Sequence, residues 1–485
     1  MLLNGWNLES TSQRENKVSS SQIWNYIIDI AMLSILLLIS TAMKRQLSFF
    51  RKNPIPIPVI AGFLGLILGK DVLGIISFNS LRLENLLYHL MNIGFIALSL
   101  KASSKVRSKE YMHSGMFIVS NYVVQGLLGF SLSLLFFYTI FPGTFPLSGL
   151  LLPLGFGQGP GQAYAMGKQW EELGFTYGGN MGLTIAAMGY IWACAGGVAL
   201  IAWLRKKKGL KISNETNGAP VGKHDLYDDD KPEELPMKES VDGLTLQLII
   251  IGAVYLLTYL TLKGLESLLV GAGGFGRNLA QLLWGFSFII GAIYGMSVRR
   301  ILDFCHHKKW MKYSYTSNYL LERVSGGAFD FMITAAISAV SIYMLKDYLV
   351  PFLIITSAGG LLTIWFIMKF SQRIYKTDTL ENALAMYGML TGTISTGIAL
   401  LREVDPNFRT QAAKNLVFGS GTGLAFGLPL MIILNIPIMG YVNKQPILYL
   451  VTLLAFVVYL AVLLFAMLRS TRERKSRPGR QGSTG

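Results

Sequence analysis

Residues 155–162 read Gly155-Phe156-Gly157-Gln158-Gly159-Pro160-Gly161-Gln162, and residues 388–397 read Gly388-Met389-Leu390-Thr391-Gly392-Thr393-Ile394-Ser395-Thr396-Gly397. Each lies inside an otherwise apolar segment, 147–167 and 383–401. Glycine at this density breaks a helix, and non-helical backbone at membrane depth leaves N–H and C=O groups unpaired unless protein or a polar cavity satisfies them. Both segments therefore read as re-entrant hairpins, and each tip is a candidate binding site.

The surrounding chain is made for lipid. Of 485 residues 52% are hydrophobic and 14% charged, where a soluble domain carries about 25% charged residues. Long apolar runs cover 23–42, 54–69, 86–100, 116–141 and 181–204, then 244–262, 279–298, 328–345, 349–370 and 416–439, with one more at 447–468. A crossing needs about 20 apolar residues, so the pattern predicts an all-α polytopic membrane protein of eleven crossings. A polar segment (1–22) precedes the first repeat (23–204). A linker (205–242) bearing Lys206, Lys207, Lys208 and the run Asp228, Asp229, Asp230 leads to the second repeat (243–440), followed by an extra helix (446–468) and a basic tail (469–485). No cleavage pattern follows the first apolar run, which reads as a retained helix.

The net charge of +16 is spread over loops between apolar runs and forms no single stripe, which argues against nucleic acid as a partner. With the N-terminus outside and the C-terminus cytoplasmic, most Lys and Arg fall in alternate loops: Lys44, Arg45, Arg51 and Lys52; Lys101, Lys105, Arg107 and Lys109; the linker; Arg299 to Arg323; the surroundings of the second hairpin; and the tail. That is the positive-inside pattern of a multi-pass plasma (inner) membrane protein of bacterial type. Four crossings, a hairpin and a fifth crossing per half make an odd count, so the second half begins on the opposite face and the repeat is inverted. Paired broken segments at matching positions of two halves point to a transporter's binding site.

In the first hairpin Gly157, Gln158, Gly159, Gly161 and Gln162 are candidate solute contacts, because glycine admits close backbone approach and Pro160 withholds an N–H. In the second, Thr391, Gly392, Thr393, Ser395, Thr396 and Gly397 offer hydroxyls and backbone to a carboxylate. The competing use of such hydroxyls is back-bonding to i−4 carbonyls. Arg402 could pair with a substrate carboxylate or anchor the cytoplasmic side. Ser395, Thr396, Ser420, Thr422 and Asp330 are candidate oxygen donors to a coupling cation, and Asp29 is a second intramembrane acid. Cys194 and Cys305 stand far apart without a disulfide or zinc pattern. His306 and His307 read as a solvated basic loop. No nucleophile–base, paired-carboxylate or metal-ligand set recurs, so neither an enzyme nor a resident cofactor is expected.

Several segments resemble the bacterial sodium/glutamate symporter family, from about the first crossing through the tenth. These are Lys52-Asn53-Pro54-Ile55-Pro56-Ile57-Pro58-Val59-Ile60-Ala61-Gly62; the run from Met91-Asn92-Ile93-Gly94-Phe95 to Leu100-Lys101; Gly159 and Gly161; Glu172-Leu173-Gly174-Phe175; Gly189, Gly196 and Gly197; and Gly388, Gly392, Thr396, Ile398 and Ala399. The resemblance implies a sodium-coupled glutamate carrier, a homodimer with a scaffold and a core that moves like an elevator. This sequence departs from the family at Pro160 (His there), Gln162 (Thr), Ser395 (Pro) and Gly427 (Asp), and it adds an eleventh crossing. The expectation is a sodium symporter importing glutamate or a related small organic anion. The alternatives are a proton-coupled carrier of another organic anion, or a non-transporting membrane sensor or channel.

Overall fold

The computed structural model describes residues 20–53, 55–101, 109–208, 242–271, 280, 283–284, 287–311, 315–341, 348–375, 377–405 and 410–475. Most of the expected linker, the first nineteen residues and the end of the basic tail lie outside the described residues. Every element among the described residues is helical. In chain order they are α1 (Ser20–Gln46), α2 (Ser48–Lys52), α3 (Ile57–Leu68), α4 (Ser80–Leu100), α5 (Lys109–Tyr138), the short turn α6 (Leu151–Pro153), α7 (Pro160–Glu171), α8 (Gly178–Ile191) and α9 (Gly197–Lys208). Then come α10 (Gly243–Val270), α11 (Ser287–His307), α12 (Asn318–Ser338), α13 (Leu349–Ile374), α14 (Thr379–Thr391), α15 (Ile394–Arg402), α16 (Ala412–Val442) and α17 (Ile447–Lys475).

Eight helical stretches among the described residues are long and apolar enough to cross a membrane, so the chain is an all-α, multi-pass membrane protein. The other three expected crossings coincide with helices that do not pass on length and apolarity alone. α3 has only 12 residues. α11 carries Arg299, Arg300 and Asp303, and α12 carries Glu322, Arg323 and Asp330. α12 also begins at Asn318, well before the expected 328, because Ser317 caps it by accepting from the Leu320 N–H at 3.4 Å. Its polar first turns face partners, with Lys101 pairing to Glu322 at 3.0 Å. α17 likewise runs past 468 to Lys475.

Packing divides the helices into two bodies. In one, α12 lies against α3 and α4, α11 against α4 and α10, and α1 against α3. In the other, α5 is the hub: α16, α17 and α13 pack on it, α7 pairs with α8, and α14 pairs with α15. The seam is thin, made mainly where α7 and α8 meet α12 and where α7 meets α4.

Both broken segments are hairpins. Phe145, before the first, stacks on Phe175, beyond its return arm, with centroids 4.5 Å apart, and meets Trp170 at 6.1 Å. Entry and exit therefore lie side by side, at an end of the bundle shared with Tyr441 and Tyr348. The second hairpin opens at the other end, where the Gln411 N–H donates to Asp378 at 3.1 Å, Asn415 donates to Asn382 at 3.0 Å, and Tyr375, one residue beyond α13, pairs with Ser114 in the first turns of α5 at 2.9 Å.

Candidate functional site

The first tip is built from a π turn, Leu154–Gln158, followed by Gly159 at φ +101° and the start of α7 at Pro160. Only glycine adopts that φ without strain, and proline suits the first turn of a helix, where its missing N–H leaves no bond unmade. The second tip is Gly392-Thr393 between α14 and α15. At both tips an outgoing helix starts inside the bundle, so the N–H groups of its first turn lack helical partners and the positive end of its dipole lies at the tip.

One helix holds both tips. The Tyr122 hydroxyl donates to the Gly157 carbonyl at 2.8 Å, and the Gln125 amide, one turn on, donates to the Leu390 carbonyl and to Thr363 Oγ1, each at 2.9 Å. Between the tips stands α8. A Cβ built on Gly189 would lie 2.4 Å from the Thr391 carbonyl oxygen and 3.1 Å from the Phe156 ring, so only hydrogen fits there. Below it the helix opens into the π turn Trp192–Gly196, and the Trp192 carbonyl accepts from the Tyr387 hydroxyl at 2.7 Å. Neither Tyr122 nor Gln125 stood out in the sequence, because a tyrosine and a glutamine in an apolar helix carry no local sign of a partner dozens or hundreds of positions away.

The expected residues divide by use. Thr391 donates to the Tyr387 carbonyl at 2.7 Å, and the Thr396 hydroxyl accepts from the Thr393 N–H at 2.7 Å and donates back to the Thr393 carbonyl at 2.9 Å. Both are fully buried and both serve the hairpin's own backbone, Thr391 by bonding its i−4 carbonyl and Thr396 by a capping box three residues back. Ser395 is exposed, and Gln158 and Thr393 are half-buried. Gln162 is 6% exposed and its Oε1 has no protein partner. Gly157, Gly159, Gly161 and Gly397 are buried.

At the seam, a Cβ on Gly161 would meet Met91 Sδ of α4 at 2.6 Å and Met332 Sδ of α12 at 3.2 Å. Tyr190 of α8 is buried, and its hydroxyl has no hydrogen-bond partner among the described residues. The return arm of the first hairpin is tied across the seam: Tyr164 donates to Glu84 at 2.9 Å, and Lys168 lies 3.7 Å from Glu84 and 2.7 Å from Glu171. Glu84 and Tyr164 were missed for the same reason as Tyr122.

The structure does not gather every candidate. Arg402 is exposed at the far end of α15, more than two turns from the tip. Ser420 donates to the Leu416 carbonyl, and Thr422 donates to the carbonyls of Gly419 and Tyr111, the latter at the end of α5 remote from the tips. Asp29 is paired with Arg82 at 2.6 Å. Comparison of the chain with protein-family profiles, curated proteins and solved structures finds no significant match.

Proposed function

We propose that this chain is a secondary transporter, a sodium symporter importing glutamate or a related small organic anion, built as an inverted repeat. The observation that carries the reading is the clamp by α5, in which Tyr122 and Gln125 on successive turns hold the tips of two hairpins that open at opposite ends of the bundle. A solute site between such tips is open to one side at a time when the bodies shift. An anion is favoured by the helix starts at Pro160 and Ile394, where each dipole presents its positive end, although at Ile394 a capping box between Thr393 and Thr396 already serves part of the first turn. In this reading the body holding α5 carries the solute past the body holding α4 and α12, in the elevator manner, within a homodimer. The charge pattern puts the N-terminus outside and the C-terminus in the cytoplasm of a bacterial inner membrane.

Purified protein in proteoliposomes is expected to accumulate labelled glutamate, aspartate or a dicarboxylate when a sodium gradient is imposed, and not when choline replaces sodium. Absence of gradient-driven accumulation of any acid tested would remove the transporter reading. The half-buried Asp330 carboxylate within α12 supports a second reading, coupling to protons. Uptake that persists without sodium and collapses with a protonophore would favour it.

Topology has its own test. Cysteine at Gln158 and at Ser395, in a chain lacking Cys194 and Cys305, should react with an impermeant thiol reagent from opposite faces, Gln158 from outside and Ser395 from the cytoplasm. A transported acid should protect both. Labelling of both from one face would refute the inversion.

A further inference from the structure

We propose that α5 carries a sodium site of its own, formed by the side-chain oxygens of Asn121 and Gln125 at the C-terminal end of α14. The inference deepens the symporter reading and rests on it, by naming where the coupling ion is held.

The Gln125 amide cannot be turned round. Its nitrogen donates to the Leu390 carbonyl, which has no hydrogen to return, and to Thr363 Oγ1, whose own proton is given to the Gly359 carbonyl at 2.7 Å. Gln125 Oε1 is thereby left inside the protein, buried, with no donor. Asn121 lies one turn earlier on the same face, and residues four apart on a helix have Cβ atoms about 5–6 Å apart. Asn121 is 0% exposed, and neither its Oδ1 nor its Nδ2 has a protein partner. It sits between Phe117, stacked on Phe366 of α13, and Gln125, which holds α14. Two fully buried, unpartnered amide oxygens on successive turns are an exception to the rule that buried polar groups are paired, and they call for a bound species.

The surroundings select its charge. α14 ends at Thr391, so its last carbonyls lack helical partners and its dipole presents its negative end here, with the Leu390 carbonyl already in contact with Gln125. C-terminal ends of broken helices are where transporters hold sodium. The donors are neutral oxygens, which suit a hard cation, and a divalent ion would call for carboxylates. Among the described residues no three His, Cys, Asp or Glu side chains converge.

The test uses the full chain in detergent without added acid, titrated with sodium chloride against choline chloride at constant ionic strength while its melting temperature and its binding of labelled sodium are followed. Wild type should be stabilised saturably by sodium. Asn121→Leu, similar in volume but without the oxygen, should raise the half-saturating sodium about tenfold or more, and Asn121→Asp, which adds a charge, should lower it. An Asn121→Leu protein with the wild-type sodium response would overturn the site, and the occupant of the gap would then be water. If Asn121→Leu does not fold, an unchanged half-saturation in Asn121→Asp has the same force. Sodium-driven uptake by wild type together with either result leaves the symporter reading standing and removes only this site. No sodium binding and no sodium-driven uptake by wild type removes both.

Discussion

Cysteines introduced at Met91 and Gly161, in a chain with Cys194 and Cys305 replaced by serine, are expected to form a disulfide that stops transport almost completely until a reductant is added. Met91 belongs to α4 in one body and Gly161 to α7 in the other. A Cβ on Gly161 would lie 3.1 Å from Met91 Cγ, and that atom is one bond from its own Cβ. The two Cβ atoms therefore fall near the roughly 3.5–4.5 Å separation a disulfide requires. Gly161 is itself a candidate solute contact, so the loss is mechanical, a seam held in one position, when the Gly161→Cys chain and the reduced double variant both transport. Met91→Cys alone should keep most activity, since it shortens a flexible side chain, and Gly161→Cys alone presses on the far end of Met91, which can turn aside. Quantitative cross-linking with uptake undiminished would show that the bodies do not slide past one another, and the elevator proposal would fail.

Gly397→Val should abolish the recovery of folded protein. α14 and α15 meet backbone to backbone: a Cβ at Gly397 would stand 2.5 Å from the Ala385 carbonyl oxygen and 3.2 Å from the Met389 nitrogen, and one at Gly388 would stand 2.8 Å from the Gly397 Cα. Backbone cannot turn aside as a side chain can, so the helices must part. Overpacking where side chains can adjust costs about 1–3 kcal/mol, and here the loss should reach or exceed the upper end. Separation would also strain the Gln125–Leu390 bond that ties this hairpin to the other. Gly327→Ala is the matched comparison, because a Cβ there meets nothing within 4 Å and alanine favours a helix over glycine by up to about 1 kcal/mol. Its melting temperature should equal or exceed that of wild type. A Gly397→Val protein that purifies as a single species and melts with wild type would disprove the close pairing of these helices.

The hydroxyls of the second tip show why a polar motif in an apolar segment is ambiguous. Four hydroxyls fall within residues 391–396, and their density drew attention to the tip. Yet a broken helix creates unpaired backbone of its own, and Thr391 and Thr396 are used to satisfy it. The Thr393 side chain closes a capping box with Thr396, and of the four only Ser395 is exposed. The same residue types that could bind a solute are those needed to end and restart a helix, and local sequence does not separate the two uses.

The sequence by itself determined the membrane class, the approximate place of nearly every helix and the position of both breaks. Lipid enforces those features locally: a crossing must be an apolar run of set length, and a dense glycine cluster cannot continue it. Where charge enters a helix, as in the early turns of α12, the apolar run begins later than the helix itself, which starts at Asn318. Only the tertiary structure decided which helices form each body, that Tyr122 and Gln125 hold opposite hairpins, that Tyr164 reaches Glu84 across the seam, and that Arg402 lies away from the tips. Each depends on contacts between residues far apart in the chain, and in a helix that is polar at one position and apolar around it the residue type is the same whether its partner is a distant carbonyl, a solute or an ion. Asn121 is the clearest instance: one asparagine in an apolar run, distinguished only by the fold that buries it beside Gln125 without a partner.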